Sequence, residues 1–455
     1  MKIASLCQLC LVHLAILCSN QAGADELPAE RGEIRDRHGV VLVENDADGG
    51  RNYPFGAAAA HLIGHKSCGG IEQSQDARLA AGEDITLTID IRAQLAAELA
   101  MRRVGRGASV VIEPSTGEIL AMVSVPSFDP SQFFPRLSKE NFTSLQGDEN
   151  KPLFNRCFGE YPPGSTFKIV TALTRRLDPV SADPQCYHCD SVLEIDGRRF
   201  RCWDRNGHGE LDLQSALSRS CNVYFYRHGE AVGIAEIVRV ARLFGLGTKP
   251  GLPVLTERSG TLPDPATHAE RFGRAWGRGD TANAAIGQGV VTVSPVQMAG
   301  LVGAVGNGGR YVRPHLIASA KADPVDLVAE GISGERLAVV RAGMLDTVNG
   351  ESGTATGARI RGLEIAGKTG TAQWGPNRGR LAWFVGYSPA ENPRYAISVA
   401  VENGQSGGKV AAPLAAMILA DCSALRPDPE KEQIKPLALE PAEGHAEPVT
   451  SIGKD

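Results

Sequence analysis

Five β-rich runs fall into two groups with more than half of the chain between them, and no other feature of this sequence restricts the fold as strongly. The first group is a hairpin. Residues 109–114 (SVVIEP) and 118–125 (EILAMVSV) flank Ser115-Thr116-Gly117, which is good turn chemistry. The second group is 363–373 (LEIAGKTGTAQ), 381–389 (LAWFVGYSP) and 395–403 (YAISVAVEN), joined by short polar loops that suit antiparallel neighbours. If all five share one sheet, the chain between them must leave it and return. Its helical patterning over 164–177, 211–218, 234–244 and 292–304 makes that excursion a layer on the sheet's face. The expected fold is therefore α/β, an antiparallel sheet flanked by helices. Further helices are expected over 92–104 and 410–424, and a strand over the alternating 85–91 (ITLTIDI).

The ends of the chain read differently. Lys2 precedes a mostly apolar stretch over 3–19, and Ala22-Gly23-Ala24 has the small-x-small form of a cleavage site. Residues 1–24 are thus a signal peptide or a membrane anchor. Either one exports the rest, to the periplasm or the outer face of the cytoplasmic membrane. Residues 25–84 are rich in Gly and Ala and read as a small loop-rich region, ahead of one large domain over 85–425. Residues 426–455, rich in Pro, Glu and Lys, read as a disordered tail. The net charge of −5, with no basic stripe, argues against a nucleic-acid partner.

The chemistry-bearing residues form three clusters. Pro162-Pro163-Gly164-Ser165-Thr166-Phe167-Lys168 leads into a helix, with Pro163 suited to its first turn. Ser165 then lies near the positive end of the helix dipole, and Lys168, three residues on, shares its face. A lysine kept neutral by burial or by a cationic neighbour can take a serine's proton. Alone, Ser-x-x-Lys is a common helix start with a solvated lysine. Ser220-Cys221-Asn222 adds a hydroxyl that can shuttle a proton and an amide that can hold a substrate. Lys368-Thr369-Gly370-Thr371 adds hydroxyls and a cation for a carboxylate, with Gly370 expected to let a ligand backbone come close.

In this order the three clusters resemble the penicillin-recognising serine enzymes. Over roughly 31–420 the chain resembles a class B penicillin-binding protein, a peptidoglycan D,D-transpeptidase. The stretches RGEIRDRHG, EPSTGEILAMVSVPSFDP, YPPGSTFKIVTAL, GDTANAAIGQGVVTVSPVQMA and AGKTGTAQ carry that likeness, and RRFRCWDRNGHGELDLQSALSRSCNVYFY is closest to the cell-elongation subgroup. The resemblance implies the penicillin-binding transpeptidase or serine β-lactamase-like fold. It implies acyl transfer through Ser165, with Lys168, Ser220, Asn222 and Lys368 as catalytic residues. Thr369, Gly370 and Thr371 would bind substrate, and the backbone N–H groups of Ser165 and Thr371 would form an oxyanion hole. Peptidoglycan stem peptides and β-lactams would be ligands, a cell-wall glycosyltransferase a partner, and no cofactor would be needed. Members usually carry a sizeable pedestal domain before the catalytic one, and here 25–84 would be a reduced remnant. A D,D-carboxypeptidase or a β-lactamase shares the acylation step, and a non-catalytic β-lactam sensor or scaffold shares the binding. No Glu is placed as in class A β-lactamases, and Ser-x-Asn differs from the Ser-x-Val of class D.

Three of the ten cysteines lie in the first 24 residues. Of the rest, Cys189, Cys202 and Cys221 crowd with His208 around the second motif. Their spacings of 13 (189 to 202), 6 (202 to 208) and 13 (208 to 221) suit tetrahedral zinc, and some elongation-subgroup transpeptidases carry a metal at corresponding places. A disulfide, Cys202 with Cys221 or Cys186 with Cys189, is one alternative in an exported protein, and free thiols are the other. Cys186 and His188 are substitute ligands. Cys157, Trp383 and Phe384 read as core, and His61 and His65 as surface.

Overall fold

In the computed structural model, every residue of β5 (Gly107–Ile112) and β6 (Ile119–Val125) is buried, because the sheet they open is covered on both faces. The described residues are 31–67, 69–133, 137–175, 186–254, 256–320, 322–375, 379–426, 434 and 438–441. The expected signal or anchor over 1–24 lies outside them. The late strands are β13 (Ala366–Gln373), β14 (Arg380–Ser388) and β15 (Tyr395–Glu402). They complete one sheet in the order β13-β14-β15-β5-β6, antiparallel at each step, with Ile397 opposite Val111 where the two groups meet.

Two helical layers enclose this sheet. Helices α1 (Ile91–Met101) and α10 (Ala412–Ala424) cover Val111, Phe384 and Val399. On the other face α8 (Pro295–Gly306) lies against Val110, Val385 and Tyr387, with no exposed residue. Its start is set by Pro295 and by a capping box between Ser294 and Gln297. Its glycines let it lie close to the sheet. A Cβ on Gly303 would meet Ile112 Cδ1 at 2.8 Å, and one on Gly306 would meet Tyr387 Cγ at 2.9 Å.

The excursion holds α2 (Lys168–Leu173), α3 (Leu213–Ser218), α4 (Asn222–Val232), α5 (Ile234–Leu243), α6 (Pro265–Phe272), α7 (Arg278–Ala285) and α9 (Gly334–Asn349). It also holds four short strands the sequence did not announce. They are β7 (Cys186–Cys189), β8 (Val192–Ile195), β9 (Arg198–Arg201) and β10 (Gly209–Asp212), paired as β8-β9 and β7-β10. A two-residue pair, β11 (Arg310–Tyr311) and β12 (Val325–Asp326), follows.

The N-terminal region is more ordered than its composition suggested. Strands β1 (Ile34–Arg35), β2 (Val41–Asn45), β3 (Arg51–Asn52) and β4 (Ile85–Thr86) form a small sheet. Glu72 is buried between Arg31 at 2.8 Å and Arg51 at 2.6 Å, an arrangement that ties the charged start of this region to its short helices. Asp36 accepts from the N–H groups of His38, Val40 and Ile91 and so joins the region to α1.

Three expectations need correction. Strand 85–91 stops at Thr86, because Asp90 turns to cap α1 by accepting from Arg92 N. His61 and His65 are buried, the first packed edge-on to Phe128 and the second stacked on Phe133. Burial pushes both imidazoles down to about 4. The helix expected over 164–177 begins as a 3-10 turn, Gly164–Phe167, and is α only to Leu173. Most of the tail expected to be disordered, 426–455, lies outside the described residues. Leu439 O accepts from Ala57 N at 2.7 Å, and Ile434 and Leu439 pack on the core, an apolar anchorage within a polar stretch.

Candidate active site

Three elements meet at the open edge of the sheet. The 3-10 turn holding Ser165 runs into α2, so Lys168 starts the helix and is fully buried while Ser165 is half-buried. Strand β13 lies directly against this turn. A Cβ on Gly370 would fall 2.8 Å from Pro163 O and 3.0 Å from Thr166 Cγ2. Gly370 therefore makes room for the catalytic turn, not for a ligand backbone as its place in the motif suggested. Trp383 fastens the same turn from β14 by donating Nε1–H to Pro162 O at 3.0 Å.

The third element is the junction of α3 and α4. Ser220 N donates to Leu217 O at 3.2 Å and Cys221 N to Ala216 O at 2.9 Å, the two bonds of a Schellman motif. Ser220 occupies its left-handed position, with φ 54°. Glycine is the usual residue there, and a serine is held at a cost of roughly 1–2 kcal/mol. Cys221 then caps α4, its sulfur accepting from Tyr224 N at 3.4 Å, and Asn222 is the first helical residue.

Two amines converge on this junction. Lys168 Nζ donates to Ser220 O at 2.8 Å, to Asn222 Oδ1 at 2.7 Å and to Ser220 Oγ at 3.3 Å. Lys368 Nζ donates to Ser220 Oγ at 2.9 Å and to Thr369 O at 3.1 Å. Burial lowers Lys168 to about 8, against a smaller upward pull from the sulfurs of Cys221 and Cys202. Burial, and then the neighbouring Lys168 charge, hold Lys368 well below the ordinary lysine range. Two ammonium groups meeting on one hydroxyl repel, so a proton is easily given up from the pair. The Ser165 hydroxyl has no hydrogen-bond partner among the described residues, which leaves it available to an incoming group. Thr371 is exposed beside it and accepts from Gly407 N at 3.3 Å, while Thr369 bonds Thr354 through their hydroxyls at 2.8 Å.

The expected metal ligands also come together. Ligand atoms of Cys189, Cys202, His208 and Cys221 all lie within 4.8 Å of one another, and all four residues are buried. His208 Nδ1 is 3.6 Å from Cys189 Sγ and 3.4 Å from Cys202 Sγ, and Cys202 Sγ is 4.0 Å from Cys221 Sγ. The described cysteines are all free. Cys186 and His188 stand apart on the exposed side, with His188 bonded to Asp190 and Glu210.

Sequence reasoning missed two supports of the site. Tyr161 OH donates to buried Glu402 at 2.7 Å, and Arg156 binds the same carboxylate at 3.1 Å, fixing the chain ahead of Pro162. Trp203 donates Nε1–H to Ser220 O at 3.1 Å, sharing that carbonyl with Lys168. Neither has a local signal, since both depend on contacts across the fold.

Residues 107–420 match the penicillin binding protein transpeptidase domain family. The chain is 35% identical over 361 residues to peptidoglycan D,D-transpeptidase MrdA of Acinetobacter baumannii, covering 72% of this chain and 52% of that protein. It thus spans about half the length of that relative. It is 32% identical to peptidoglycan D,D-transpeptidase PbpA of Mycolicibacterium smegmatis, covering 86% of this chain and 88% of that one. The crystal structure of Pseudomonas aeruginosa PBP2 is similar at a TM-score of 0.80 and 35% identity, covering 87% of this chain and 96% of that one.

Proposed function

Since the chain belongs to the class B penicillin-binding protein family, in its cell-elongation subgroup, we propose that it is an exported serine D,D-transpeptidase that cross-links peptidoglycan stem peptides. The observation that carries the reading is the convergence of Lys168 and Lys368 on the Ser220 hydroxyl beside the Ser165 turn. Among the described residues strand β13 has a paired neighbour on one side only, so a stem peptide can add along its other edge.

Neutral Lys168 accepts the Ser165 proton as Oγ attacks the D-Ala-D-Ala carbonyl carbon. The backbone N–H groups of Ser165 and Thr371 receive the oxyanion, and such donors are worth about 3–4 kcal/mol each in other enzymes. The C–N bond then breaks. The Ser220 hydroxyl supplies the leaving amine's proton and is itself reprotonated from the lysine pair. The amine of a second stem peptide attacks the resulting ester, returns one proton through the same groups and frees Ser165. Lys368, Thr369 and Thr371 hold the terminal carboxylate, which also accounts for β-lactam binding.

Cys189, Cys202, His208 and Cys221 fit a structural zinc ion. Three sulfurs and one imidazole nitrogen, buried and 3.4–4.0 Å apart where paired, suit ligand bonds of about 2.0–2.3 Å in a tetrahedron. A bound ion would fix the second motif and take no part in proton transfer. Asn222 hangs from this cluster, with its N–H directed at Cys202 Sγ at 3.4 Å and its Nδ2 donating to Arg201 O at 3.3 Å.

The apolar stretch over 3–19 supports export. Among the described residues no helix is long and apolar enough to cross a membrane. A cell-wall glycosyltransferase remains the natural partner class.

The test supplies a donor peptide ending in D-Ala-D-Ala and an acceptor peptide with a free amine. Cross-linked dimer with release of D-Ala, lost in Ser165→Ala, supports the proposal. Release of D-Ala with no dimer supports a carboxypeptidase, and rapid turnover of penicillin a β-lactamase.

A further inference from the structure

Away from the lysine pair, a cavity of about 480 Å³ opens between α6 and α7, next to the catalytic turn. Its position follows from the backbone. Gly164 N donates to Gly287 O at 2.9 Å, and a Cβ on Gly287 would strike Gly164 O at 2.3 Å. Gly289, in the cavity wall, is two residues further on, at most about 7 Å between Cα atoms. An extended peptide advances about 3.3 Å per residue, so a group two to four residues from the scissile bond reaches the cavity.

The lining has a definite chemistry. Asp280 is already matched, with Arg274 nitrogens at 2.6 and 2.7 Å and Gly277 N at 2.9 Å. The side-chain bond to Arg274 leads the causes that hold its carboxyl down to about 2. Arg271 is exposed, lies 5.4 Å over the Phe272 ring and has no ion pair among the described residues, so the wall carries surplus positive charge. His268 is 5% exposed, and its Nε2 has no hydrogen-bond partner among the described residues. Asp280 Oδ2 stands 3.9 Å from that nitrogen, too far to bond it. The imidazole is wedged 4.6 Å from Phe272 and 4.9 Å from Trp276. A buried polar nitrogen without a partner is rare and costly, and the residue that carries it, His268, is part of the cavity wall. Phe272, 47% exposed, gives the rim an apolar face.

We propose that this cavity is a substrate subsite for a side-chain carboxylate of the stem peptide, carried on a short aliphatic stem and met by His268 and Arg271. The inference rests on the transpeptidase reading and names one feature of its substrate. The carboxylate would accept from His268 Nε2–H and the Arg271 guanidinium, while its methylenes lie on Phe272 and Trp276.

The experiment compares two synthetic peptides ending in D-Ala-D-Ala, identical except that a side-chain carboxylate upstream of the scissile bond is free in one and a carboxamide in the other. The ratio of their kcat/KM values for D-Ala release is measured for the full chain and for Arg271→Gln and His268→Phe, with folding checked by thermal melting. The full chain should favour the free carboxylate by about tenfold or more, as expected for a charged hydrogen bond. Both variants should bring the ratio to within about twofold. Arg271 is exposed, so its substitution tests the subsite even if His268→Phe fails to fold. A full chain that takes up penicillin covalently but treats the peptides alike overturns the subsite alone, as does a preference that survives in Arg271→Gln. A full chain acylated by neither peptides nor penicillin overturns the function and the subsite together.

Discussion

The two halves of the active site are held by different physics. Ser165, Lys168 and Lys368 stand where a turn and a strand press against a sheet buried on both faces, and six of the eight residues of β13 are buried. Ser220 and Asn222 hang from a segment whose strands bury few residues, β9 having none fully buried. That segment reaches the core through Ile195 and Leu211, and it adds a knot of four buried candidate ligands and a left-handed serine. Apolar packing does not depend on the protonation or oxidation of particular side chains, whereas a four-ligand metal site of the kind proposed would. On the proposed roles, Ser165 and Lys168 should therefore be robust, and a proton shuttle through Ser220 conditional.

The largest effect that would sharpen this contrast is at Ser220. Ser220→Gly removes the hydroxyl on which both lysines converge but suits the left-handed backbone. Acylation by a fluorescent penicillin should slow by about 10²–10⁴-fold. The melting temperature should hold or rise, since about 1–2 kcal/mol of strain is relieved. A variant that melts much lower with normal acylation would mean that Ser220 is there for structure.

Next comes the ligand knot. A chelator or His208→Ala should slow acylation by about 10–100-fold and lower the melting temperature together. Hydrogen exchange should then quicken over 186–232 and stay unchanged over 366–402. Uniform quickening would erase the distinction between the halves. Protein free of zinc, fully active and with paired cysteines would return the disulfide reading.

A third check is the pH profile of the packed half. With Lys168 at about 8, the neutral base grows as pH rises. The acylation rate should climb about tenfold per pH unit below 8 and level off above it. The fold gains in the same direction. A lysine held below its unfolded value of about 10.4 costs stability in full below about pH 8, and that cost fades as pH rises to about 10.4. A flat rate profile from pH 6 to 9 would remove Lys168 as the base.

The same contrast sets what could be read from the sequence. The sheet was legible because its strands are long apolar runs, and the three catalytic clusters because their residue types have one joint chemical use. The residues 189, 202, 208 and 221 were legible as a set from donor chemistry and likeness to relatives, although β7–β10 around them were not, being too short and too polar to show a period. His61 and His65 were misread because the aromatic rings that bury them lie more than sixty residues on. Gly370 was assigned to a ligand because a close approach in a strand does not say which backbone approaches. The Arg156–Glu402–Tyr161 network joins positions whose sequence separation hides them from any local pattern.

The most direct test of the whole account is the intact mass of the full chain after incubation with a β-lactam, followed over hours and mapped by proteolysis. One persistent adduct is expected, on the peptide that contains Ser165, and no adduct in Ser165→Ala. An adduct elsewhere, labelling that survives Ser165→Ala, or no adduct at all would contradict it.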